Sequence, residues 1–373
     1  MVRDVEGYRK VHLLYKPNKH IMILGKSGYG KTFAANRDAV HRIRDGDKVI
    51  ILDFTGSYTK EELARAGSVF GNHIVYHKVN EDRFMFPVYL EDISGALTDA
   101  LIEAFGITSY TQQMILAECC EELIEDTGVF TFMDLFKKLE ERQHICQTED
   151  EGLPDMHKNT GYLLNKFRQV RNINNIIFLE HGACDPLEQQ REPVTVLQLS
   201  DFSEQQKRQL SVFLLSLIWT NARYRGKHRE LDGFDAVLID EFQHFPLTED
   251  SSFNAILREG RKYEFSAILC SQFLSDHKKT ELSALTQAGT VLLFRPTENE
   301  IKLLISLFDL GEFQTWKKIL LGLDIGEAVL IGSYRLDNGR ELNKPLIVTI
   351  EDEEEPLDVS PPKGSIRGRV IYR

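Results

Sequence analysis

At 373 residues, 42% of them hydrophobic, with a formal net charge of −12, the chain is long enough for a core domain plus an insertion. The acidic balance alone makes no case for a nucleic-acid partner, although basic groups gathered along a pore are compatible with an acidic exterior. The longest apolar run, around "SVFLLSLIW", falls short of the ~20 residues of a membrane span, the N-terminus lacks a signal-peptide core, and five cysteines without a C-x-x-C pair read as reduced thiols, which together predict a cytoplasmic protein with no membrane insertion, structural disulfide or zinc site.

The first predicted element is the strand "HIMIL", which runs into "GKSGYGKT" and then the helix "KTFAANRDAVHRIR", ended by Asp45-Gly46. The spacing Gly25, four residues, Gly30, Lys31, Thr32 is the phosphate-binding loop pattern. Glycines let successive backbone N–H groups turn inward toward phosphate oxygens, and the following helix adds its positive dipole end. Residues Gly25, Lys26, Ser27, Gly28, Tyr29, Gly30, Lys31 and Thr32 are therefore the candidate ATP-binding loop. Lys31 is expected on the β- and γ-phosphates and Thr32 on Mg2+. A plain Gly-rich turn between strand and helix is the alternative.

"KVIILDF" (48–54) follows as a second strand, giving the βαβ rhythm of a parallel sheet. Its terminal Asp53 is a candidate for the metal neighbourhood or a strand-end cap. From 81 to 189 the pattern turns helical, as in "TQQMILAECCEELIEDTG" and "FTFMDLFKKLEERQ", and predicts an inserted helical subdomain. The core then comprises 1–80 and 190–350, and 351–373 reads as a surface tail with an acidic run, a Pro pair and a basic end.

Strand rhythm resumes at "PVTVLQL" (193–199), followed by a long helix opened by a Ser203-x-x-Gln206 capping box and expected against the sheet. The strand "DAVLID" ends in Asp240-Glu241. Next to a phosphate loop, this pair predicts a Mg2+ ligand, Asp240, and a general base for water, Glu241. "ILREGRKYEFSAILCSQ" then places Arg258 and Arg261 on or after a helix and Gln272 at a strand end. The arginines are candidates for a finger inserted into a neighbouring subunit and Gln272 for a γ-phosphate or water sensor, the alternatives being a solvated helix face and a strand cap. Cys270 is expected to be a buried, inert thiol. A second capping box, Thr297-x-x-Glu300, opens "ENEIKLLISLF". Basic clusters at 165–172, 223–229 and 277–280 are solvated faces or DNA contacts.

The series "GKSGYGKT", "VIILDFTGSY", "VLIDEFQHF", "REGRKYEFSAILCSQ" and "GEAVLIG" resembles the HerA branch of the HerA-FtsK superfamily of ring-forming ATPases over residues 16 to 350. The resemblance implies a RecA-like P-loop core with a mainly parallel sheet, an ATP- and Mg2+-dependent ATPase, a hexameric homo-oligomer, and translocation or unwinding of double-stranded DNA with a nuclease or other effector partner. It also implies Gln272 as sensor, Arg261 ahead of Arg258 as the finger acting in trans, and Lys278 and Lys279 as the DNA contacts. An NTP-gated hub of an antiviral defence complex and a conjugation- or packaging-type motor are the other functions such proteins suggest. A kinase is disfavoured because "VLIDE" followed by "SQ" suits water activation. Two departures stand out: only 24 residues precede Gly25, leaving no room for the small β-barrel such proteins carry there, and Ser57 in "TGSY" replaces an acidic residue.

Overall fold

A computed structural model describes residues 9–66, 74–79, 81, 84–88, 93–148, 154–173, 176–180, 193–227, 234–275, 277–336, 338–350 and 366–370. In chain order the elements begin with β1 (Arg9–Leu13), β2 (Ile21–Leu24), α1 (Lys31–Arg44), β3 (Val49–Asp53), α2 (Lys60–Ala66), β4 (Ile74–Lys78) and β5 (Phe84–Val88). A helical stretch follows with α3 (Ile93–Phe105), α4 (Tyr110–Thr127), the short β6 (Val129–Phe130), α5 (Phe132–Thr148), α6 (Pro154–Phe167) and β7 (Ile176–Glu180). Then come β8 (Val194–Gln198), α7 (Glu204–Lys227), β9 (Ala236–Ile239), α8 (Ser252–Glu259), β10 (Ser266–Ser271), α9 (Lys279–Leu282) and β11 (Thr290–Phe294). The remainder is α10 (Glu298–Leu307), α11 (Phe313–Leu321), β12 (Glu327–Gly332), β13 (Tyr334–Leu336), β14 (Glu341–Leu342), β15 (Leu346–Thr349) and β16 (Ile366–Val370).

The chain divides into two compact units, residues 1–74, 192–196 and 234–373 in the first and 75–191 and 197–233 in the second. In the first, the sheet order runs β14-β13-β1-β16-β15-β12-β11-β2-β10-β9-β3 and on to the start of β8. From β11 to β3 all pairings are parallel, with Ile21 opposite both Ile268 and Thr290, and Ala236 opposite both Ser266 and Val49. The sequences "IMIL", "VIILD", "AVLI", "SAILCS" and "TVLLF" are buried at every position, as a parallel sheet covered on both faces requires. This is the RecA-like P-loop architecture, and it sets the ends of β2, β9 and β10 side by side. From β12 onward the sheet is antiparallel.

The tail departs from expectation. Residues 351–365 and 371–373 lie outside the described residues, but Ile366–Val370 is a sheet strand paired with β1 on one side and β15 on the other, so this part is no surface extension. Its alternation of Ile and Val with Arg is weak locally; the two neighbouring strands supply the partners.

The second unit holds α3 to α7 and a sheet of order β5-β7-β6. The expected insertion, 81–189, is joined here by 197–233. Leu210 to Trp219 of α7 are buried as predicted, but the helix packs on α3 and on an aromatic cluster in which Phe213 lies 5.0 Å from Phe178 and 5.2 Å from Phe132, ring centre to centre. Its capping box forms, with Ser203 N–H donating to Gln206 Oε1 at 3.1 Å and Gln206 N–H to Ser203 Oγ at 3.4 Å. The basic clusters here have structural work: Lys166 Nζ donates to the Phe105 carbonyl at 2.8 Å, capping α3, while the Arg171 and Arg223 guanidiniums lie over the rings of Phe136 and Trp219. His228 and Arg229, at the end of the second cluster, lie outside the described residues.

Candidate functional site

The phosphate loop is held open by backbone geometry. Gly25, Gly28 and Gly30 take φ values of 145°, 82° and 105°, in the region that side chains other than glycine rarely enter. Gly25 is also sterically required, because a Cβ there would stand 2.7 Å from Phe294 Cβ. Flanking elements fix the loop: Gly25 N–H donates to the Ser271 carbonyl at 3.3 Å, Lys26 N–H to the Arg295 carbonyl at 2.9 Å, and Gly326 N–H to the Tyr29 carbonyl at 3.1 Å. The Arg295 guanidinium lies 5.7 Å from the Tyr29 ring centre. Lys26, Ser27 and Gly28 are exposed at the crest, with Thr32 half-buried behind them.

Gly30 is the N-cap of α1 and makes no side-chain cap, and the first turn carries no acidic residue. The free N–H groups and the positive end of the helix dipole are therefore left for an anion, while His41, Arg42 and Arg44 complement the other end. Lys31 is 8% exposed and reaches back to the Lys26 carbonyl at 3.2 Å. Burial lowers its pKa, against which Cys270, Glu241 and Asp240 raise it. A buried ammonium at the mouth of an uncapped helix is matched to phosphate. Cys270 is buried as expected, and burial drives its thiol pKa well up.

On the facing strand, Asp240 is 5% exposed. Its pKa is pushed up to about 7, first by burial, with the Thr55 hydrogen bond opposing and the charges of Glu241 and Asp53 adding to the rise. A carboxylate so placed fits a divalent cation that would restore its ionised form. The Thr55 hydroxyl donates to Asp240 Oδ2 at 2.8 Å and lies 2.8 Å from Ser57 Oγ.

Asp53 takes the second of its expected roles. Its carboxylate is fully buried and accepts backbone N–H groups from Thr55, Gly56, Ser57 and Tyr58 at 2.8 to 3.2 Å, closing the turn after β3. These bonds hold its pKa down against the larger raising effect of burial. Asp53 is the strand-end cap that presents Thr55 to Asp240.

Glu241 adopts a left-handed backbone, φ 57° and ψ 52°, a conformation that costs a non-glycine residue about 1 kcal/mol or more. Gln272 Nε2 donates to its Oε1 at 2.7 Å, so the candidate base and candidate sensor are in contact. Gln243 Nε2 donates to Oε2 at 2.5 Å. Sequence reasoning missed Gln243 and Thr55. The local signal for Gln243 was its position two residues past Glu241; for Thr55 it was a hydroxyl two residues past a strand-end Asp.

The remaining candidates stand apart from this cluster. Arg258, in the last turn of α8, is exposed and 3.9 Å from Glu249 Oε1. Arg261 is exposed on the 3-10 turn Gly260–Tyr263, and neither arginine bonds to Lys31, Asp240, Glu241 or Gln272. Lys278 is the N-cap of α9, its side chain 84% exposed and 3.9 Å from Glu281 Oε1. Lys279 opens the same helix, its side chain outside the described residues. The Thr297 capping box does not form: Thr297 makes no side-chain cap, and Glu300, 2% exposed, accepts the Leu274 N–H at 2.8 Å. Glu300 thereby anchors the loop that follows Gln272.

Residues 16–218 match the family model described as "Helicase HerA, central domain". The chain is 24% identical, over 360 residues, to the DNA double-strand break repair helicase HerA of Sulfolobus acidocaldarius, a match covering 92% of this chain and 67% of that protein. Among solved structures, VirB4 of Thermoanaerobacter pseudethanolicus superposes with a TM-score of 0.62 at 17% identity, covering 91% of each chain. The plasmid coupling protein TrwB in complex with the non-hydrolysable ATP analogue ADPNP gives a TM-score of 0.58 at 12% identity, covering 92% of this chain and 87% of that one. Those two likenesses are of fold.

Proposed function

Because the chain belongs to the HerA helicase family, we propose that it is an ATP-hydrolysing ring motor that translocates along or unwinds double-stranded DNA. The observation that carries this reading is the convergence of the phosphate loop, Asp240, Glu241 and Gln272 at the ends of the adjacent parallel strands β2, β9 and β10, with Gln272 bonded to Glu241. Ligands of open α/β sheets bind at the carboxyl ends of the strands.

In this mechanism the loop N–H groups and Lys31 hold the ATP phosphates, Lys31 losing its desolvation penalty as the phosphates arrive. Thr32 and Asp240 hold Mg2+, which when bound neutralises charge on the phosphate oxygens. Glu241 orients the attacking water and accepts its proton on a carboxylate oxygen. Gln272 reports to the loop after β10 whether that carboxylate is engaged. Arg261, with Arg258 as the second choice, supplies a positive charge to the site of a neighbouring subunit.

Six subunits place Lys278 and Lys279 around a pore, where a few phosphate contacts per subunit suffice for grip. The motor works in the cytoplasm with a nuclease or other effector as partner; among the described residues no helix is long and apolar enough to cross a membrane.

The test is ATP turnover with and without duplex DNA over a salt series. Turnover should rise with DNA, and DNA binding should fall steeply with salt. Replacing Lys278 and Lys279 with Ala should flatten that salt dependence and weaken stimulation while basal hydrolysis persists. A ring that hydrolyses ATP yet binds no DNA at low salt would refute the motor reading and favour an NTP-gated hub.

A further inference from the structure

The contacts of Glu241 contain a residue that the phosphate loop, the acidic strand end and the sensor strand do not account for. Both oxygens of its carboxylate are taken by amide donors, Oε1 by Gln272 at 2.7 Å and Oε2 by Gln243 at 2.5 Å. A carboxylate only accepts, so both glutamines must present their NH2 groups to it. That leaves Gln243 Oε1 facing Ser271 Oγ at 2.6 Å, and the Ser271 hydroxyl donates there or to the Phe273 carbonyl, 2.7 Å away. The Phe273 N–H returns a bond to the same Oγ at 3.2 Å. Ser271 and Gln272 are consecutive on the chain, so Glu241, Gln243, Ser271 and Gln272 form a closed ring of side chains and backbone across the ends of β9 and β10.

We propose that Gln243 is the positioning residue for the base Glu241, fixing the carboxylate plane so that one oxygen stays aligned for water when Gln272 shifts its bond toward the nucleotide. This deepens, and rests on, the ATPase reading above. Two observations carry it. Glu241 sits in a left-handed conformation that a free turn would relax, so something must hold it there. The two grips also differ in origin: Gln243 lies on the one-turn 3-10 helix Phe242–His244, directly joined to Glu241 and anchored at its start by fully buried Phe242, whereas Gln272 reaches Glu241 from the end of the neighbouring strand β10. Gln243 is the local hand and Gln272 the one from across the strands. A base misplaced by a fraction of its hydrogen-bond length loses the near-attack geometry while nucleotide affinity, set by the phosphate loop, is untouched.

The experiment compares the wild type with Gln243→Met, which keeps length and removes the donor, and Gln243→Glu, which keeps shape and sets a second carboxylate against Glu241. Steady-state ATPase and binding of a non-hydrolysable ATP analogue are measured on the full chain. The expected result is a kcat lowered roughly 10- to 100-fold in Gln243→Met and further in Gln243→Glu, with KM and analogue affinity within about 2-fold of wild type. A kcat within about 2-fold of wild type in Gln243→Met overturns the proposal, as does a Gln243→Glu variant faster than Gln243→Met. Loss of analogue binding together with kcat overturns it too, since that marks a structural role. A wild-type protein without ATP turnover refutes the ATPase reading itself and this inference with it, whereas an active wild type with an indifferent Gln243→Met refutes the inference alone.

Discussion

Thr55 and Asp240, 185 positions apart in the chain, are joined by a 2.8 Å hydrogen bond from hydroxyl to Oδ2 across the ends of β3 and β9. The bond exists because Asp53 spends its carboxylate on four backbone N–H groups and so folds the turn that delivers Thr55. Thr55→Val keeps the shape and deletes the donor, and leaves a buried carboxylate with one partner fewer. We expect the apparent affinity for Mg2+ in the presence of ATP to fall by about 1 kcal/mol, several-fold, with little change in metal-free ADP binding. Titrating Mg2+ against a fluorescent nucleotide reads this directly. An unchanged Mg2+ midpoint would remove Thr55 from the site.

The glycines of the phosphate loop should not be equivalent. Gly25→Ala meets both a φ of 145° and Phe294 Cβ at 2.7 Å, whereas Gly28→Ala, at φ 82°, meets nothing within 4 Å. The first substitution should cost about 3 kcal/mol or more and abolish nucleotide binding, the second about 1 kcal/mol with binding weakened. Thermal melts with and without nucleotide separate them, and equal losses would contradict the packing of the loop on β11.

His20 gives the fold an acid-sensitive point away from the site. Its ring is buried, its Nδ1 accepts the Ala267 N–H at 3.0 Å, and burial, helped by the Arg42 charge, pushes its pKa down to about 4. The neutral ring is therefore favoured by folding. That stability is fully present above the unfolded value near 6.5 and is lost as pH falls through about 4, a loss of about 3 kcal/mol. Asp240, pushed up, contributes with the opposite sign, so the difference between wild type and His20→Gln isolates the effect. The variant should show a flatter decline of denaturant midpoint between pH 6.5 and 4. Parallel declines would show that His20 does not titrate with unfolding.

If Arg261 acts across an interface, Arg261→Ala and Glu241→Gln subunits should each be inactive alone and regain activity when mixed, since one interface can pair an intact arginine with an intact base. No recovery at any ratio, with co-assembly confirmed by mass, would return Arg261 to its own subunit.

The legible part of this molecule is the part whose chemistry is local. "GKSGYGKT" specifies a loop because each glycine serves its own φ, and "DAVLID" specifies a buried strand end because apolar continuity and terminal carboxylates are adjacent in sequence. What stayed hidden depends on neighbours distant in sequence. Gln243 matters only because β9 lies beside β10, bringing Ser271 and Gln272 to it. Glu300 has the spacing of a capping residue, but the Leu274 N–H competes for it and wins in a buried setting. The strand Ile366–Val370 has no strong pattern of its own and is defined by the edges of β1 and β15.

The placement of β2 has a bearing on the order in which this protein comes into being. Its hydrogen-bonding neighbours are β10 and β11, which start at Ser266 and Thr290, so during synthesis the phosphate loop emerges long before any strand exists to hold it. The turn that offers Thr55, the carboxylates of β9 and the carbonyls of Ser271 and Arg295 that fix the loop's entry arrive at separate times. A ribosome-bound fragment ending before Ser266 thus has the loop's sequence without the strands that brace it. The braced form of the loop therefore waits on non-local strand pairing of the slow-folding kind.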